Sequence, residues 1–288
     1  MEKSLPSFLA SEFAPAKPEE ALFHIIPVPY EASVSYGGGT AQGPEAILSA
    51  SAQLEAWDGI SSPGELGLYT APAVECSGEP AAVMQRIEAA VTASLKHKAI
   101  PVLLGGEHSV SYGALSALCK QGTPFGIVQF DAHCDLRNAY EGQRHSHASV
   151  MYLAVSELGL PLAQFGNRDF CREEVAVRER YKVIHYDASL LAAQGLPLCP
   201  LPKDFPQDIY ISFDVDGLDA AIMPATGTPS PGGLGWYDAL TLLERCIAGR
   251  RVLGCDVVEL APIPQLHHAN FTAAKLVHAL MGMVQRSR

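Results

Sequence analysis

The sequence predicts an α/β protein in which helices cover both faces of a mostly parallel central sheet. Short apolar runs recur along the chain, and most of them lack the polar alternation of a half-exposed strand. Segments with helical periodicity separate these runs, as expected when each parallel strand is followed by a crossover helix. The chain has 288 residues, of which 48% are hydrophobic, and this suffices for one large domain.

The individual elements follow from these patterns in chain order. Pro6, Pro15 and Pro18 interrupt a polar stretch, so we expect residues 1–22 to be an irregular N-terminal arm and residues 23–288 to be one domain. Apolar runs predict strands at 24–28, 67–69, 100–104, 125–130, 162–165, 181–185, 208–213 and 251–258. Periodic segments predict helices at 79–98, 108–120, 172–180, 237–249 and 271–286.

Composition narrows the class of partner. The net charge of −11 argues against nucleic acid and anionic membranes as ligands. The seven cysteines are scattered and include no CxxC pair, which excludes a zinc ribbon and argues against a disulfide framework. No apolar signal stretch opens the sequence, and no run reaches the ~20 apolar residues of a transmembrane helix. We therefore expect a cytoplasmic protein with a small-molecule substrate.

The most informative pattern is a repeat of closely spaced acidic residues at the ends of two apolar runs. Asp131, His133 and Asp135 follow one run, and Asp214 and Asp216 follow another. Residues two apart lie on the same face of a strand, so the members of each set start on one face. Ligands of open α/β sheets bind beyond the carboxyl ends of the strands, so both sets should meet at one rim. Because so many carboxylates require a cation, the sequence predicts a metal site.

His108 follows a third apolar run and brings the number of candidate metal ligands to six. Oxygen-rich coordination with few imidazoles favours a hard ion such as Mn²⁺ over structural zinc. Six ligands exceed the needs of one catalytic ion, whereas two ions that share carboxylates and activate a water molecule use them all. The alternative is that these residues are ordinary capping or core polar residues; the repeated spacing favours the metal site.

Four motifs together resemble the signature stretches of the ureohydrolases, the arginase–agmatinase family. They are GGEHS at 105–109, DAHCD at 131–135, SFDVDGLD at 212–219 and DVVE at 256–259, and the resemblance spans about residues 24–286. It implies an arginase-like three-layer α/β/α sandwich that binds two Mn²⁺ per subunit. It assigns His108, Asp131, Asp135 and Asp214 to one ion, and Asp131, His133, Asp214 and Asp216 to the other.

Three residues are expected to carry the chemistry beside the metal: Glu259, His147 and Asp135. Glu259 follows an apolar strand, and a carboxylate can accept the parallel N–H donors of a planar guanidinium side by side. The resemblance gives Glu259 this substrate-binding role; a salt bridge to a protein Arg is the alternative. His147 lies in a segment similar to the Ser-His-Ala stretch of agmatinases, which implies a proton shuttle, and His145 competes with it on spacing alone.

The substrate is predicted from two further positions. Thr228 lies in a Gly- and Pro-rich loop that resembles the family, and it would orient the substrate or Glu259 unless the loop is purely structural. Arg137 stands where arginases carry an Asn that holds the amino-acid end, and the segment after it resembles agmatinases. We therefore predict hydrolysis of agmatine to putrescine and urea. Because Arg137 could also pair with a carboxylate, arginine and guanidinobutyrate remain alternatives.

Two other classes are less well supported by the sequence. A dinuclear phosphoesterase would need a phosphate-binding loop or a Lys/Arg cluster beside the motifs, and the sequence has neither. An inactive structural subunit would have lost a metal ligand, yet all six are present. On the resemblance alone, we expect the chain to associate with itself as a trimer or hexamer.

Overall fold

The computed structural model describes residues 5–288, which form a sheet of eight parallel strands flanked by helices. The strands are β1 (Phe23–Val28), β2 (Leu68–Thr70), β3 (Ile100–Gly105), β4 (Gly126–Phe130), β5 (Leu162–Phe165), β6 (Ile184–Tyr186), β7 (Asp208–Asp214) and β8 (Arg251–Val258). Their order across the sheet is β2-β1-β3-β8-β7-β4-β5-β6, and each neighbouring pair is parallel. The predicted α/β class with a parallel central sheet is confirmed.

Helices cover both faces of this sheet. They are α1 (Gly43–Ser51), α2 (Pro80–Lys96), α3 (Ser111–Cys119), α4 (Val150–Ser156), α5 (Arg172–Tyr181), α6 (Ala188–Gln194), α7 (Trp236–Ile247) and α8 (His267–Arg286). On one face α1, α6, α7 and α8 pack against the strands, and on the other face α2 to α5 do so. Neighbouring strand residues divide between the two cores, as Leu104 and Leu103 illustrate. This arrangement explains why the strands read as unbroken apolar runs.

Several boundaries differ from the sequence prediction. The strand predicted at 181–185 lies at Ile184–Tyr186, because α5 continues through Tyr181 and ends where Lys182 takes a left-handed conformation with φ of 54°. Helix α8 begins at His267 rather than at residue 271. The helices α1, α4 and α6, with nine, seven and seven residues, fall outside the predicted set. Two turns give too few apolar positions to establish a helical period.

The N-terminal segment packs onto the domain. Of the expected arm at 1–22, residues 1–4 lie outside the described part of the chain. Phe8 and Leu9 are buried, and the N–H of Leu9 donates to the Ser51 hydroxyl of α1 at 3.0 Å. Within residues 5–288, no helix combines the length and apolarity needed to cross a membrane.

Candidate active site

The residues predicted to form the site lie at the carboxyl ends of the four central strands. His108 follows β3, Asp131 follows β4, Asp214 ends β7 and Glu259 follows β8. In the sheet these strands are adjacent, in the order β3-β8-β7-β4. Residues separated by up to about half of the chain therefore meet at one rim, as expected for ligand sites in open parallel sheets.

Backbone hydrogen bonds at Gly106 join the carboxyl ends of β1, β3 and β8. The N–H of Gly106 donates to Val28 O at 2.8 Å, and the N–H of Glu107 donates to Tyr30 O at 2.9 Å. The carbonyl of Gly106 accepts from the N–H of Glu259 at 2.9 Å. A Cβ atom at Gly106 would overlap the Tyr30 carbonyl, so only glycine permits this approach. The glycine thereby places Glu107 and Glu259 side by side.

The first cluster of candidate metal ligands surrounds His108. Its Nδ1 atom lies 2.8 Å from Asp135 Oδ2, 3.1 Å from Asp131 Oδ2 and 3.4 Å from Asp214 Oδ2. All four side chains are buried. Carboxylates cluster in this way when a cation neutralises them, because each would otherwise repel the others without the screening of water.

The second cluster surrounds His133 and shares one carboxylate with the first. Nδ1 of His133 lies 3.0 Å from Asp216 Oδ2 and 3.6 Å from Asp131 Oδ1. The ligand atoms of Asp131, His133 and Asp216 lie within 4.8 Å of one another, as do those of His108, Asp131 and Asp135. Asp131 therefore presents one oxygen to each cluster, the arrangement that a bridging carboxylate requires.

A buried Ser–Asp pair orients His108. The Ser212 hydroxyl donates to Asp256 Oδ1 at 2.9 Å, and its oxygen lies 2.8 Å from His108 Nε2. A hydroxyl has one hydrogen, so Ser212 must accept from Nε2–H of the neutral ring. The lone pair of His108 Nδ1 then faces the carboxylates, and this buried atom has no hydrogen-bond partner. A nitrogen lone pair among carboxylate oxygens fits a metal ion, and the pair behind it resembles the groups that orient metal-binding imidazoles.

The electrostatics show how strongly this rim favours positive charge. Burial disfavours a charged His108, yet the adjacent carboxylates, beginning with Asp131, raise its pKa well above the usual value. Burial likewise opposes a charged His133, but hydrogen bonds to Asp131 and Asp216 raise its pKa to about 12. Burial, and then the charge of Asp131, raises the pKa of Asp135 to about 7. Without an ion, the clusters therefore retain protons in its place.

A series of buried, hydrogen-bonded polar side chains orients the carboxylate of Asp131. Gln129 Nε2 donates to Asp131 Oδ2 at 2.7 Å, and Gln164 Nε2 donates to Gln129 Oε1 at 2.6 Å. Arg178 Nε donates to Gln164 Oε1 at 2.8 Å. Because each member is hydrogen-bonded to the next, the orientation of the shared carboxylate is fixed by side chains of β4, β5 and α5.

The loop that carries Asp216 is tied to both neighbouring motifs. Asp216 Oδ1 accepts from the N–H of Ala132 at 2.9 Å, and the N–H of Asp216 donates to Asp214 Oδ1 at 2.9 Å. Arg168 Nη2 donates to the carbonyl of Asp216 at 2.7 Å and to that of Ser230 at 2.8 Å. Arg168 therefore holds the Asp216 turn and the Thr228 loop together.

Glu259 lies beside the first cluster at the rim. Its Oε1 accepts from the N–H of His108 at 2.6 Å, and the side chain is buried. Burial, followed by the charge of Glu107, raises the pKa of Glu259 well above its usual value. A buried carboxylate in this position is stabilised by a cationic partner, because the cation restores the charged form that burial disfavours.

One cavity gathers most of the predicted site residues, and two candidates lie elsewhere. Arg137 is exposed and does not line the cavity; its guanidinium carbon lies 5.7 Å from the centre of the Tyr140 ring. His145 packs against Tyr112, with ring centroids 5.2 Å apart, in a separate surface groove. The predicted residues that line the cavity are His133, Asp135, His147, Asp214, Asp216, Thr228 and Glu259.

Ser33 and Glu107 are absent from the predicted site residues, although Glu107 lies within the GGEHS motif. The carboxylate of Glu107 is buried and accepts four hydrogen bonds, two of them from the N–H and hydroxyl of Ser33 at 2.6 and 2.8 Å. The Ser33 oxygen also lies 3.2 Å from His147 Nδ1. The signal in the sequence is Glu107 itself, because a Glu between Gly-Gly and a candidate metal-ligating His must find buried partners.

The relation of the chain to known proteins agrees with this geometry. The model of the Arginase family matches residues 21–282. The N(1)-aminopropylagmatine ureohydrolase of Synechocystis sp. is 37% identical, over 96% of this chain and 92% of that protein. The agmatinase of Pyrococcus horikoshii is 33% identical, over 93% of this chain and 94% of that protein.

Solved structures give the same relation. The agmatine ureohydrolase of Thermoplasma volcanium superposes with a TM-score of 0.87 at 30% identity and covers 99% of this chain and 96% of that one. The proclavaminate amidino hydrolase of Streptomyces clavuligerus superposes with a TM-score of 0.88 at 25% identity, so the arginase-like fold is confirmed. Since the family match extends over most of the sequence and the relatives align over 92–96% of their own length, the chain belongs to the arginase family, as a ureohydrolase of the agmatinase type.

Proposed function

We propose that the chain hydrolyses the guanidino group of agmatine to putrescine and urea, with two Mn²⁺ ions bound per subunit. The observation that carries the proposal is the presence of Glu259 in the same cavity as residues of both His/Asp clusters. A guanidinium held by Glu259 would lie in the same cavity as the residues that would hold the ions. This geometry supports catalysis by positioning, in which binding supplies the orientation that the reaction needs.

Two overlapping sets of residues would hold the ions. The oxygen-rich donors suit a hard ion such as Mn²⁺, and the lone pair of His108 Nδ1 completes the first set. When bound, the two ions neutralise the carboxylates and supply the Lewis acidity that makes water a nucleophile near neutral pH. The proposed sets are His108, Asp131, Asp135 and Asp214 for one ion, and Asp131, His133, Asp214 and Asp216 for the other.

The chain's own side chains would bind the substrate and move the proton. Glu259 accepts hydrogen bonds from the guanidinium and fixes its plane. Burial is the main cause that lowers the pKa of His147, so its imidazole is neutral near physiological pH and can accept a proton. The same imidazole can then protonate the departing amine, the two halves of a proton shuttle. Asp135 and Thr228 face the same cavity and would orient the reacting groups.

The lining of the cavity supports a substrate with an amine tail. Among the described residues that line it there is no Lys or Arg, and Arg137 lies outside it. The carboxylate of arginine or guanidinobutyrate would therefore meet acidic groups without a cationic partner. Glu31 is not the carboxylate that would bind the amine tail. Its Oε2 already accepts from the N–H groups of Gly39 and Ala41 and from the hydroxyl of Thr40.

A second candidate substrate is N(1)-aminopropylagmatine. Relatives from Synechocystis sp., Thermus thermophilus and Thermococcus kodakarensis carry the name N(1)-aminopropylagmatine ureohydrolase and are 34–37% identical to this chain. The compound has the same guanidinium as agmatine and a longer cationic tail. The acidic lining of the cavity, which contains no Lys or Arg, therefore favours both compounds over arginine.

The substrate is decided by a direct assay. Urea release should be measured after Mn²⁺ loading with agmatine, N(1)-aminopropylagmatine, arginine and guanidinobutyrate at matched concentrations. We expect the two cationic compounds to be hydrolysed with a kcat/KM at least about tenfold above the other two. A preference for arginine or guanidinobutyrate would contradict the argument from the lining and would leave the guanidino chemistry intact.

The metal assignment has its own test in Asp131→Asn. We expect the loaded wild-type chain to bind two ions, and the variant to lose at least one of them together with most of the activity, because Asp131 presents an oxygen to each cluster. Elemental analysis after gel filtration gives the stoichiometry. Asp204→Asn, which neutralises an exposed carboxylate outside the cavity, is the control. One ion or none on the wild-type chain would refute the dinuclear proposal.

A further inference from the structure

We infer that Ser33 and Glu107 are positioning residues that fix the tautomer of His147, with its proton on Nδ1 and its lone pair on Nε2. The inference rests on the proposed function insofar as His147 is the proton shuttle. It adds two residues and a defined protonation state that neither the family match nor the motifs supply.

The contacts join the three residues in one line that runs from the buried Glu107 through the half-buried Ser33 to the half-buried His147. The Ser33 oxygen lies 2.8 Å from Glu107 Oε1 and 3.2 Å from His147 Nδ1, and it accepts the backbone N–H of His147 at 3.0 Å. Glu107 is fully buried. Its carboxylate also accepts from the N–H of Ala32 and the hydroxyl of Ser109, each at 2.6 Å. Glu107 is therefore surrounded by donors.

Counting hydrogens decides which ring nitrogen carries the proton. The Ser33 hydroxyl has one hydrogen, and the Glu107 carboxylate accepts in its other contacts, from the N–H of Ala32, the N–H of Ser33 and the hydroxyl of Ser109. If Ser33 donated to His147 Nδ1, its lone pairs would face the Glu107 carboxylate at 2.8 Å, which is repulsive. Ser33 therefore donates to Glu107 and must accept from Nδ1–H of His147. The lone pair of the neutral imidazole is left on Nε2, at the far side of the ring.

This tautomer matters for a proton shuttle in the cavity. His147 lines the cavity with Asp135, Asp214 and Glu259. The Ser33 hydroxyl contacts the Nδ1 atom of the His147 ring. The ring thus offers an acceptor, not a donor, to a water or substrate that reaches Nε2. Burial lowers the pKa of His147, in keeping with a neutral ring. A ring in the wrong tautomer could not accept a proton at that atom.

The tautomer can be observed without metal or substrate. Long-range proton–nitrogen NMR correlations of isotope-labelled histidine distinguish the two tautomers, and signals missing from His147→Gln identify the ring. At a pH above the usual histidine titration, we expect His147 of the metal-free wild-type chain to carry its proton on Nδ1. A proton found on Nε2 instead would overturn the inference, without any need for a variant.

Two substitutions should change the tautomer and two should keep it. Glu107→Gln replaces an acceptor by an amide whose NH₂ can donate to Ser33, which frees the Ser33 hydrogen for Nδ1 and moves the ring proton to Nε2. Ser33→Ala removes the acceptor and should produce a mixture of tautomers. Ser33→Thr retains the hydroxyl, and Ser109→Ala removes a different donor from the same carboxylate; both should retain Nδ1–H.

Kinetics then separate positioning from folding. Ser33→Ala and Glu107→Gln should lower kcat roughly 10- to 100-fold and change KM less than about threefold, with metal content unchanged, and Ser33→Thr should restore kcat. If both variants kept the wild-type tautomer, the inference would be refuted even in an active enzyme. If no guanidine released urea, the proposed function would fail, whereas the NMR result would still report the tautomer.

Discussion

Two carboxylates of the site, those of Asp135 and Glu259, are carried on left-handed backbone with φ of 53° and 65°. This conformation costs a residue other than glycine about 1–2 kcal/mol, so tertiary contacts must maintain it. The carbonyl of Asp135 accepts from the N–H groups of Met151 and Tyr152 at 3.1 and 3.0 Å. The N–H of Glu259 is held by Gly106 O at 2.9 Å. The backbone therefore aims both carboxylates at the rim before any ligand binds.

Glu259→Gln tests the role of this carboxylate. The amide oxygen can still accept from the N–H of His108, so we expect the fold and the metal content to be retained. The loss of the negative charge should lower kcat/KM for agmatine by roughly 100-fold or more, because a charge-assisted pair with the guanidinium is lost. Unchanged kcat/KM would show that the guanidinium binds elsewhere.

The sequence is informative about single ligands and less so about the residues that orient them. The spacing of Asp131, His133 and Asp135 predicts that they start on one strand face. In the structure they follow β4, which ends at Phe130, and the left-handed backbone of Asp135 belongs to the turn that brings them to the site. The partners Ser212 and Asp256 lie 44 residues apart, and Ser33 and Glu107 lie 74 apart. No local period links such pairs, so their contact depends on the order of the strands in the sheet.

Among the elements, the turn after β3 constrains the backbone because Gly106 lies against the main chain of Tyr30. Gly106→Ala should lower the free energy of unfolding by about 3 kcal/mol or more, because the new Cβ would overlap the backbone of Tyr30 and neither main chain can move far. Denaturant unfolding of the metal-free chain measures this. Gly122→Ala is a suitable control, since its Cβ would have no atom within 4 Å and only the positive φ of 75° adds a cost of roughly 1 kcal/mol. Equal stabilities of the two variants would contradict the overlap.

Helix α8 contains a buried titratable group, His278. Burial is the main cause that lowers its pKa, with Lys275 adding to the effect. Below the ordinary histidine pKa the unfolded chain therefore binds a proton that the folded chain resists, and stability falls as the pH decreases. We expect wild type to lose more unfolding free energy between neutral and mildly acidic pH than His278→Leu does. Equal losses in urea unfolding at the two pH values would refute the linkage.

The regular elements were predictable where they are long, and their ends were not. The apolar run of β7 and the periodic face of α7 indicate their structures directly. The start of β6 differs from the prediction because α5 continues through Tyr181, and only the left-handed conformation of Lys182 marks the end of the helix. Such a boundary depends on one backbone angle, which hydrophobic pattern does not report.

For the molecule as a whole, we predict association into a trimer or hexamer. The resemblance to the family motivates the prediction, and large apolar side chains such as Tyr237 and Trp57 remain 79% and 57% exposed on the single chain. Light scattering coupled to gel filtration would give the mass directly. A value near 30.7 kDa, the mass of one chain, would contradict it.

The order of the strands also bears on how the chain is made. The first six strands lie in two outer groups, β2-β1-β3 and β4-β5-β6, and β7 and β8 fill the gap between them. During synthesis, β4 therefore presents an unpaired inner edge until β7 has emerged, and β3 presents one until β8 ends at residue 258. Such edges are templates for pairing with other chains, so this interval is when the nascent protein is most exposed to aggregation. The same late insertion delivers Asp214, Asp216 and Glu259, which means that closure of the sheet and assembly of the site are a single event.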